Sequence, residues 1–191
     1  FLNMTIGETK IKNEEQNKIE SMDQIEFAKK FAAKKFKEAG VGNHWPDVLA
    51  VLQGEFHIDD PELLTAAILH DVLEDTATTY EELVEAFSKP IADLVQEVSH
   101  PPKYNKVQQV EYYEHLNHIS SKAKIIKLAD FAANLRGITD IRKSEPEKPY
   151  HDQYIVLIRR FLENCHDSKE KNLVYELTKE LEKYVTEKYQ F

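Results

Sequence analysis

Apolar residues recur at helical spacing in several separate segments of the chain. In the first of these they occupy positions 25, 28, 31, 32 and 36, until Gly40 ends the pattern. Ser21 and Gln24 precede this segment with the spacing of a capping box, which predicts that the helix starts there. Residues 1–20 are polar and show no periodicity, so we expect a loosely ordered lead-in.

Further helices are predicted from start signals and apolar runs. Asp60-Pro61 opens a helix that is apolar over most of 63–69, and the pairs Thr79/Glu82 and Ser88/Pro90 open two more. The remaining predicted elements are a short segment at about 46–53, helices at about 106–119 and 121–136, a charged loop at 138–148 after Gly137, and two final helices that carry Tyr154 to Phe161 and Leu173 to Tyr184. Nine or so helices indicate an all-α fold.

Composition supports a single helical domain. A length of 191 residues allows one sizeable core, and 5 Gly with 7 Pro are too few for a turn-rich β architecture. We find no internal repeat and no low-complexity linker. The prediction is therefore a compact multi-helix bundle, formed by one domain over residues 21–191.

Charge and cysteine content narrow the partners and the compartment. A net charge of -9 argues against binding to a nucleic acid polymer, because a phosphate-backbone footprint needs a basic excess. No apolar run approaches the 18 residues of a membrane span. The lone Cys165 excludes an intrachain disulfide and suits a reducing compartment, so we expect a cytoplasmic protein. The sequence leaves the oligomeric state open.

Four ionisable residues crowd the end of the helix that begins at Pro61: His70, Asp71, Glu74 and Asp75. Burying several charges together is tolerated mainly when a cation or hydrogen bonds compensate them. His70 and Asp71 are adjacent, so they converge on one ion only if the helix ends there. These residues are candidates for a metal site.

Two other segments supply further candidates. Asp130 lies among small and apolar residues with Asn134 one turn later, and His44 stands just before a helical segment. Neutral imidazoles with carboxylates suit Mn, Fe or Zn better than Mg. Taken singly, His44 also fits a helix cap and Asp130 a packing hydrogen bond, and the combined pattern favours the metal.

Other histidines and the cysteine receive weaker interpretations. His115 and His118 have the i, i+3 spacing of a ligand pair but lie on a segment typical of a solvated helix face. Cys165 accompanies apolar neighbours and is interpreted as packing. We assign no role to the remaining histidines, which are His57, His100, His151 and His166.

These residues resemble the HD-domain metallophosphohydrolases, whose ligands come in the order His…His-Asp…Asp. More closely, the chain resembles the hydrolase domain of the RelA/SpoT homologues, and especially the small stand-alone alarmone hydrolases. The matching motifs are Asn43-His44, His70-Asp71-Val72-Leu73-Glu74-Asp75-Thr76, and Lys127-Leu128-Ala129-Asp130 with Asn134-Leu135-Arg136. The similarity also covers Thr79 to Val98 and the 106–120 helix, so it runs from about residue 25 to 165.

The resemblance implies an all-helical fold with a single Mn²⁺ ion, held by His44, His70, Asp71 and Asp130. It also implies removal of the 3′-pyrophosphate from guanosine tetra- or pentaphosphate, a small phosphorylated nucleotide. By the same resemblance, Glu74 and Asp75 activate or position the attacking water, and Asn134 and Arg136 contact the nucleotide.

Two features depart from that family. The stretch from Lys35 to Gly42 replaces a longer basic loop, and Phe131 and Ala133 replace polar or bulkier residues. The predicted catalytic centre is complete, whereas base recognition is altered. Three functions stay open: the alarmone pyrophosphohydrolase, an HD nucleotidase or phosphatase for another nucleotide, and a catalytically idle nucleotide sensor. Retention of every ligand and of both acids disfavours the sensor.

Overall fold

The computed structural model describes residues 6–101, 106–144 and 152–189, and this part of the chain is helical without strands. The helices are α1 (Ile6–Ala39), α2 (Trp45–Ala50), which continues into a π-helical segment (Val51–Glu55), α3 (Pro61–Ile68), α4 (Val72–Asp75), α5 (Tyr80–Ala86), α6 (Lys89–Val98), α7 (Lys106–Leu116), α8 (Ser121–Ser144), α9 (Asp152–Glu163) and α10 (Lys169–Tyr189). The predicted all-α fold is confirmed.

The start signals of three central helices act as predicted. Asp60 accepts hydrogen bonds from the backbone N–H groups of Glu62 and Leu63 at the start of α3. Thr79 caps α5 and Ser88 caps α6, each through its side-chain oxygen. Side-chain oxygens satisfy backbone donors that lack an intrahelical partner, which is why these signals are readable in a sequence.

The predicted start of α1 is wrong. Ser21 and Gln24 lie inside α1, whose first residue is Ile6. The segment before Ser21 is rich in Glu, Lys and Gln, which have high helix propensity even without an apolar stripe. Helix formation there therefore needs no hydrophobic periodicity. The separation of residues 1–20 from a domain at 21–191 stays a prediction.

The predicted end of α8 is also wrong, because the helix continues through Gly137 to Ser144. Ile138 packs against the core, and the buried Thr139 donates a hydrogen bond from Oγ1 to the carbonyl of Leu135. A glycine costs a helix about 1 kcal/mol, which packing of the next turn offsets. Residues 138–144 are therefore helical, and 145–148 of the predicted loop lie outside the described residues.

Helices α3 and α8 form the centre of the bundle. Helix α3 packs against α1, α2, α6 and α8, while α8 also packs against α2, α6 and α10. Residues 63–69 and 128–132 are buried, so both helices are covered on most sides. Polar groups at the end of α3 and in the middle of α8 consequently meet in the interior.

None of the described helices has the length and apolar character needed to cross a membrane.

Candidate metal centre

His44 is the residue before the first turn of α2. It stands at the N-cap position, but its side chain makes no capping hydrogen bond. Its ring instead faces two carboxylates, with Nε2 2.8 Å from Oδ1 of Asp130 and Nδ1 3.2 Å from Oδ2 of Asp71. The structure thus places His44 at a side-chain cluster and not in a capping role.

His70 and Asp71 lie in the turn between α3 and α4. Helix α3 ends at Ile68, and this break lets the two adjacent side chains converge, with His70 Nε2 3.1 Å from Asp71 Oδ1. The His70 ring is 2% exposed, and its Nδ1 lies 2.8 Å from the carbonyl of Ala67. A carbonyl only accepts hydrogen bonds, so Nδ1 carries a hydrogen and directs Nε2 to the cluster.

Asp130 is 3% exposed and lies on the inward face of α8. Its Oδ2 is 2.7 Å from Nζ of Lys127, and its Oδ1 accepts a 2.7 Å hydrogen bond from Nδ2 of Asn134. His44 approaches the same Oδ1. A buried carboxylate is tolerated here because cationic and hydrogen-bonding groups surround it.

These side chains fit a divalent metal. His44, His70 and Asp130 each offer one ligand atom, and the three atoms lie within 4.8 Å of one another. Nε2 of His70 is buried and makes no hydrogen bond within the described part of the chain, although Asp71 is near. A buried nitrogen with no hydrogen-bond partner is costly unless an ion uses its lone pair. Two imidazoles and two carboxylates suit a transition metal.

The charged side chains of the cluster shift the pKa values of one another. Burial alone would lower the pKa of His70, but the charges of Asp71 and Asp130 outweigh it and raise that pKa to about 9. Burial alone would raise the pKa of Asp130, but Lys127, His44 and His70 hold it well below its usual range. The pKa of Asp71 is lowered mainly by His70, against its burial. The carboxylates are therefore ionised and able to bind a cation.

Glu74 and Asp75, in the short helix α4, have different surroundings. Glu74 Oε2 lies 2.6 Å from Nε2 of His100, and its Oε1 accepts a 2.9 Å hydrogen bond from the backbone N–H of His100. Asp75 is exposed, and no described side chain donates a hydrogen bond to it. Burial, with the negative charges of Asp71 and Glu74, raises the pKa of Asp75. His100 therefore holds Glu74 in place, whereas the Asp75 carboxylate has no hydrogen-bond donor among the described side chains.

A cavity of about 270 Å³ opens onto the cluster. Its twelve described lining residues are His44, Asp71, Glu74, Asp75, His100, Tyr112, Tyr113, Lys127, Asp130, Phe131, Asn134 and Tyr154. Arg136 is not among them and forms a bidentate pair with Glu55, at 2.6 and 2.7 Å. Of the eight predicted site residues, the structure brings six to this cavity, buries His70 directly beside it and places Arg136 elsewhere.

Several residues of the site were missed in the sequence. His100 was assigned no role, yet it contacts Glu74 and lines the cavity. Lys127 is a buried cation between the rings of Tyr112 and Phe131, 5.6 and 5.4 Å from their centroids. A lysine directly after the apolar pair Ile125-Ile126, in the helix that carries Asp130, is the sequence feature that could have indicated this buried cation. His115, by contrast, bonds to the carbonyl of Glu97.

Comparison with known proteins places these observations in a family. The MESH1 guanosine-3′,5′-bis(diphosphate) 3′-pyrophosphohydrolase of Danio rerio is 41% identical over 106 residues, which cover 55% of this chain and 57% of that protein. MESH1 of Drosophila melanogaster is 33% identical over 123 residues, which cover 64% of this chain and 69% of that protein. The match thus spans little more than half the length of the Danio rerio relative.

A solved structure gives the same result for the fold. It shows a metazoan ortholog of SpoT that hydrolyzes ppGpp, and it superposes on this chain with a TM-score of 0.70 and 26% sequence identity. The superposition covers 82% of this chain and 94% of that one. The HD domain family matches residues 25–154, a range that includes every residue of the cluster. The chain therefore belongs to the HD domain family.

Proposed function

We propose that this protein is a Mn²⁺-dependent pyrophosphohydrolase that removes the 3′-pyrophosphate of guanosine 3′-diphosphate 5′-diphosphate. The products are guanosine 5′-diphosphate and pyrophosphate. The observation that carries the proposal is the buried, unbonded Nε2 of His70 beside three other metal-ligating side chains, at a cavity that also contains a free carboxylate. The MESH1 relatives described above are named for this reaction, and they support the choice of substrate.

Metal binding is assigned to His44, His70, Asp71 and Asp130. A divalent ion held there supplies Lewis acidity toward phosphoryl oxygens and lowers the pKa of water. The protein contributes the orientation of the ligands: Ala67 fixes the His70 ring, and Lys127 with Asn134 fixes the Asp130 carboxylate. Such supporting contacts set the tautomer and direction of ligands in metal sites.

Charge in the cavity also requires a cation. The described lining contains the carboxylates of Asp71, Glu74, Asp75 and Asp130, against the cationic side chain of Lys127 and the ring of His100. Lys127 is itself paired with Asp130, and His100 with Glu74. A substrate with several phosphate charges would be repelled by this surface, so a bound cation is needed to reverse the local field.

Asp75 and Glu74 divide the work on water in this proposal. No described side chain donates a hydrogen bond to the carboxylate of Asp75. Its raised pKa makes Asp75 a better proton acceptor than an ordinary surface aspartate. Both oxygens of Glu74 face His100, so Glu74 holds position and orients the nucleophile. A general base near the metal accepts the proton as water attacks phosphorus.

The nucleoside is assigned to the aromatic part of the cavity. Tyr113, Phe131 and Tyr154 line it, and planar rings of this kind stack on bases. A volume of about 270 Å³ is below the range of most ligand sites, so a tetraphosphate nucleotide extends beyond these residues. A nucleotide contact by Arg136 stays a prediction, and it requires Glu55 to release the guanidinium.

The second candidate is an HD nucleotidase for another nucleotide. It is favoured by the described lining, which includes the aromatic side chains of Tyr113, Phe131 and Tyr154 beside the proposed metal ligands. Aromatic stacking tolerates every base, whereas hydrogen bonds to base edges discriminate. The two candidates share the metal chemistry and differ in the nucleoside.

A turnover assay tests the proposal. Purified protein with Mn²⁺ is incubated with guanosine 3′-diphosphate 5′-diphosphate, its adenosine counterpart and ordinary nucleoside di- and triphosphates, and the products are separated by anion exchange. We expect guanosine 5′-diphosphate and pyrophosphate, with loss of activity on chelation and its return with Mn²⁺. Release of orthophosphate from ordinary nucleotides alone would favour the nucleotidase, and no turnover of any substrate would favour a sensor.

A further inference from the structure

His100 makes two separate contacts with one carboxylate. Its backbone N–H donates to Oε1 of Glu74 at 2.9 Å, and its ring atom Nε2 lies 2.6 Å from Oε2 of the same side chain. The two residues are 26 positions apart in the chain. This pairing restrains Glu74 at both oxygens and leaves it one orientation at the cavity.

The second ring nitrogen of His100 also faces an acceptor. Nδ1 lies 3.0 Å from the carbonyl oxygen of Pro101, which can only accept a hydrogen bond. Nε2 faces a carboxylate, which also accepts when ionised. Both nitrogens therefore carry hydrogens, and the ring is an imidazolium. The pKa of His100 agrees in direction: burial lowers it, but Glu74 outweighs burial and raises it.

The fold fixes where His100 stands. It follows the end of α6, where Ser99 Oγ contacts the carbonyls of Val95 at 2.7 Å and His70 at 3.1 Å. The imidazole packs edge-on against the ring of Tyr112, with centroids 5.5 Å apart, and Tyr112 donates a hydrogen bond to Val98. The same two-residue stretch thus connects the end of α6 to His70 and to Glu74.

We infer that His100 is a positioning residue of the proposed hydrolase, which acts through Glu74 by holding that carboxylate in one orientation beside the proposed metal ligands. The inference rests on the proposed function. It assigns the positive charge at this point of the cavity to His100, and it leaves Asp75 as the carboxylate that accepts a proton. Among the described residues, the other titratable groups that face the His100 ring are Asp75, Tyr112 and Lys127.

The kinetic test compares His100→Gln with His115→Gln. His115 is the matched control. Among the described residues its Nε2 bonds to the backbone carbonyl of Glu97, and the side chain is exposed and does not line the cavity. For His100→Gln we expect kcat to fall about ten- to a hundredfold, as for other residues that orient a metal site from outside. KM, metal content and the circular dichroism spectrum should match the parent, and His115→Gln should match it in every respect.

The pH profile separates this role from a structural one. The positive charge of His100 lowers the pKa of Asp75, the proposed proton acceptor, so its loss in His100→Gln should move the acidic limb of kcat against pH to higher pH. An unchanged kcat, or a lowered kcat with the acidic limb in its original place, would overturn the inference.

A second measurement is independent of activity. In Zn²⁺-loaded protein with ¹⁵N-labelled histidine, the ring nitrogens of His100 are followed against pH. In the parent we expect the His100 ring to be doubly protonated at pH 6.5 and to titrate with a midpoint above that pH. In Glu74→Gln we expect this midpoint to fall. A neutral His100 ring at pH 6.5, or the same midpoint in both proteins, would contradict the inference. An inactive parent that shows the expected midpoints would refute the proposed function and leave the pairing intact.

Discussion

Nε2 of His44 lies 2.8 Å from Oδ1 of Asp130, although 86 residues separate them along the chain. One residue precedes the first turn of α2, and the other lies in the middle of α8. Helices α2 and α8 pack against each other, and this contact brings the two proposed ligands together. A site built on packed helices holds its geometry more firmly than one built on loops.

Metal binding is the first prediction. Protein purified without chelator should contain about one transition metal per chain, because the ligands form one cluster. His70→Ala should lose that metal. Asp130→Asn should also lose it, since an amide is a poor substitute for an anionic ligand, and this change keeps the side-chain volume next to Lys127.

Elemental analysis of the purified variants measures this, and thermal unfolding confirms that they are folded. His115→Ala is the control, because His115 lies on α7 and bonds to the carbonyl of Glu97. Retention of the metal in both His70→Ala and Asp130→Asn would remove the basis of the ligand assignment.

The second prediction concerns the pH dependence of stability after metal removal. The pKa of His70 rises from 6.5 to about 9 in the folded protein. A raised folded pKa stabilises the fold below the unfolded value, and this stability is lost as pH rises through the folded value. Chelator-treated protein should therefore unfold more easily as pH increases from 6.5 to 9, while its affinity for metal increases, because the metal displaces the proton on His70.

Chemical denaturation at pH 6, 7, 8 and 9 measures this, with and without Zn²⁺. His70→Asn is the matched variant, because it lacks the titrating ring and should lose the decline between pH 6.5 and 9. A metal-free parent whose free energy of unfolding stays constant over this range would contradict the coupling of His70 to Asp71 and Asp130.

Much of the fold and the cluster is predictable from the sequence, for a physical reason. Caps such as Asp60, Thr79 and Ser88 act within a few residues, so their signals are local. His70 and Asp71 converge because α3 ends before them, and the unusual density of charge after an apolar run indicates this. Local rules thus cover the starts of α3, α5 and α6 and the placement of the proposed ligands His70 and Asp71 at a helix end.

The failures come from contacts between distant segments. Gly137 does not end α8, because Ile138 and Thr139 pack into the core, a fact set by neighbouring helices. The partner of His100 is Glu74, and only the tertiary fold brings these two residues, 26 positions apart in the chain, together. Arg136 belongs to a matched motif but pairs with Glu55, which is 81 positions away in the chain. Periodicity and motif spacing carry no information about such pairs.

The third prediction separates the two acids. Asp75→Asn should lower kcat by about a hundredfold or more, because an amide does not accept the proton of the attacking water. Glu74→Gln should lower it less, about ten- to a hundredfold, since the amide keeps part of the contact with His100. Both variants should retain metal, because neither side chain belongs to the ligand set.

Single-turnover kinetics with Mn²⁺ at saturating substrate checks the order of the two effects. Glu81→Gln is a suitable control, because Glu81 is exposed on α5 and does not line the cavity. An Asp75→Asn variant that turns over at nearly the parent rate would assign the proton transfer to another group.

The last prediction concerns the base of the substrate. The proposed metal ligands would recognise a phosphoryl group that many nucleotides share, so discrimination between bases must come from other groups. The described lining of the cavity includes the aromatic rings of Tyr113 and Tyr154, and such rings stack on guanine and adenine alike. The stretch from Lys35 to Gly42 also offers few polar groups to hydrogen-bond a guanine. We therefore expect hydrolysis of the guanosine alarmone with a loose base preference. Measuring kcat/KM for guanosine and adenosine 3′,5′-bis(diphosphates) side by side tests this, because a site that hydrogen-bonds the correct base would reject the other by more than about a thousandfold.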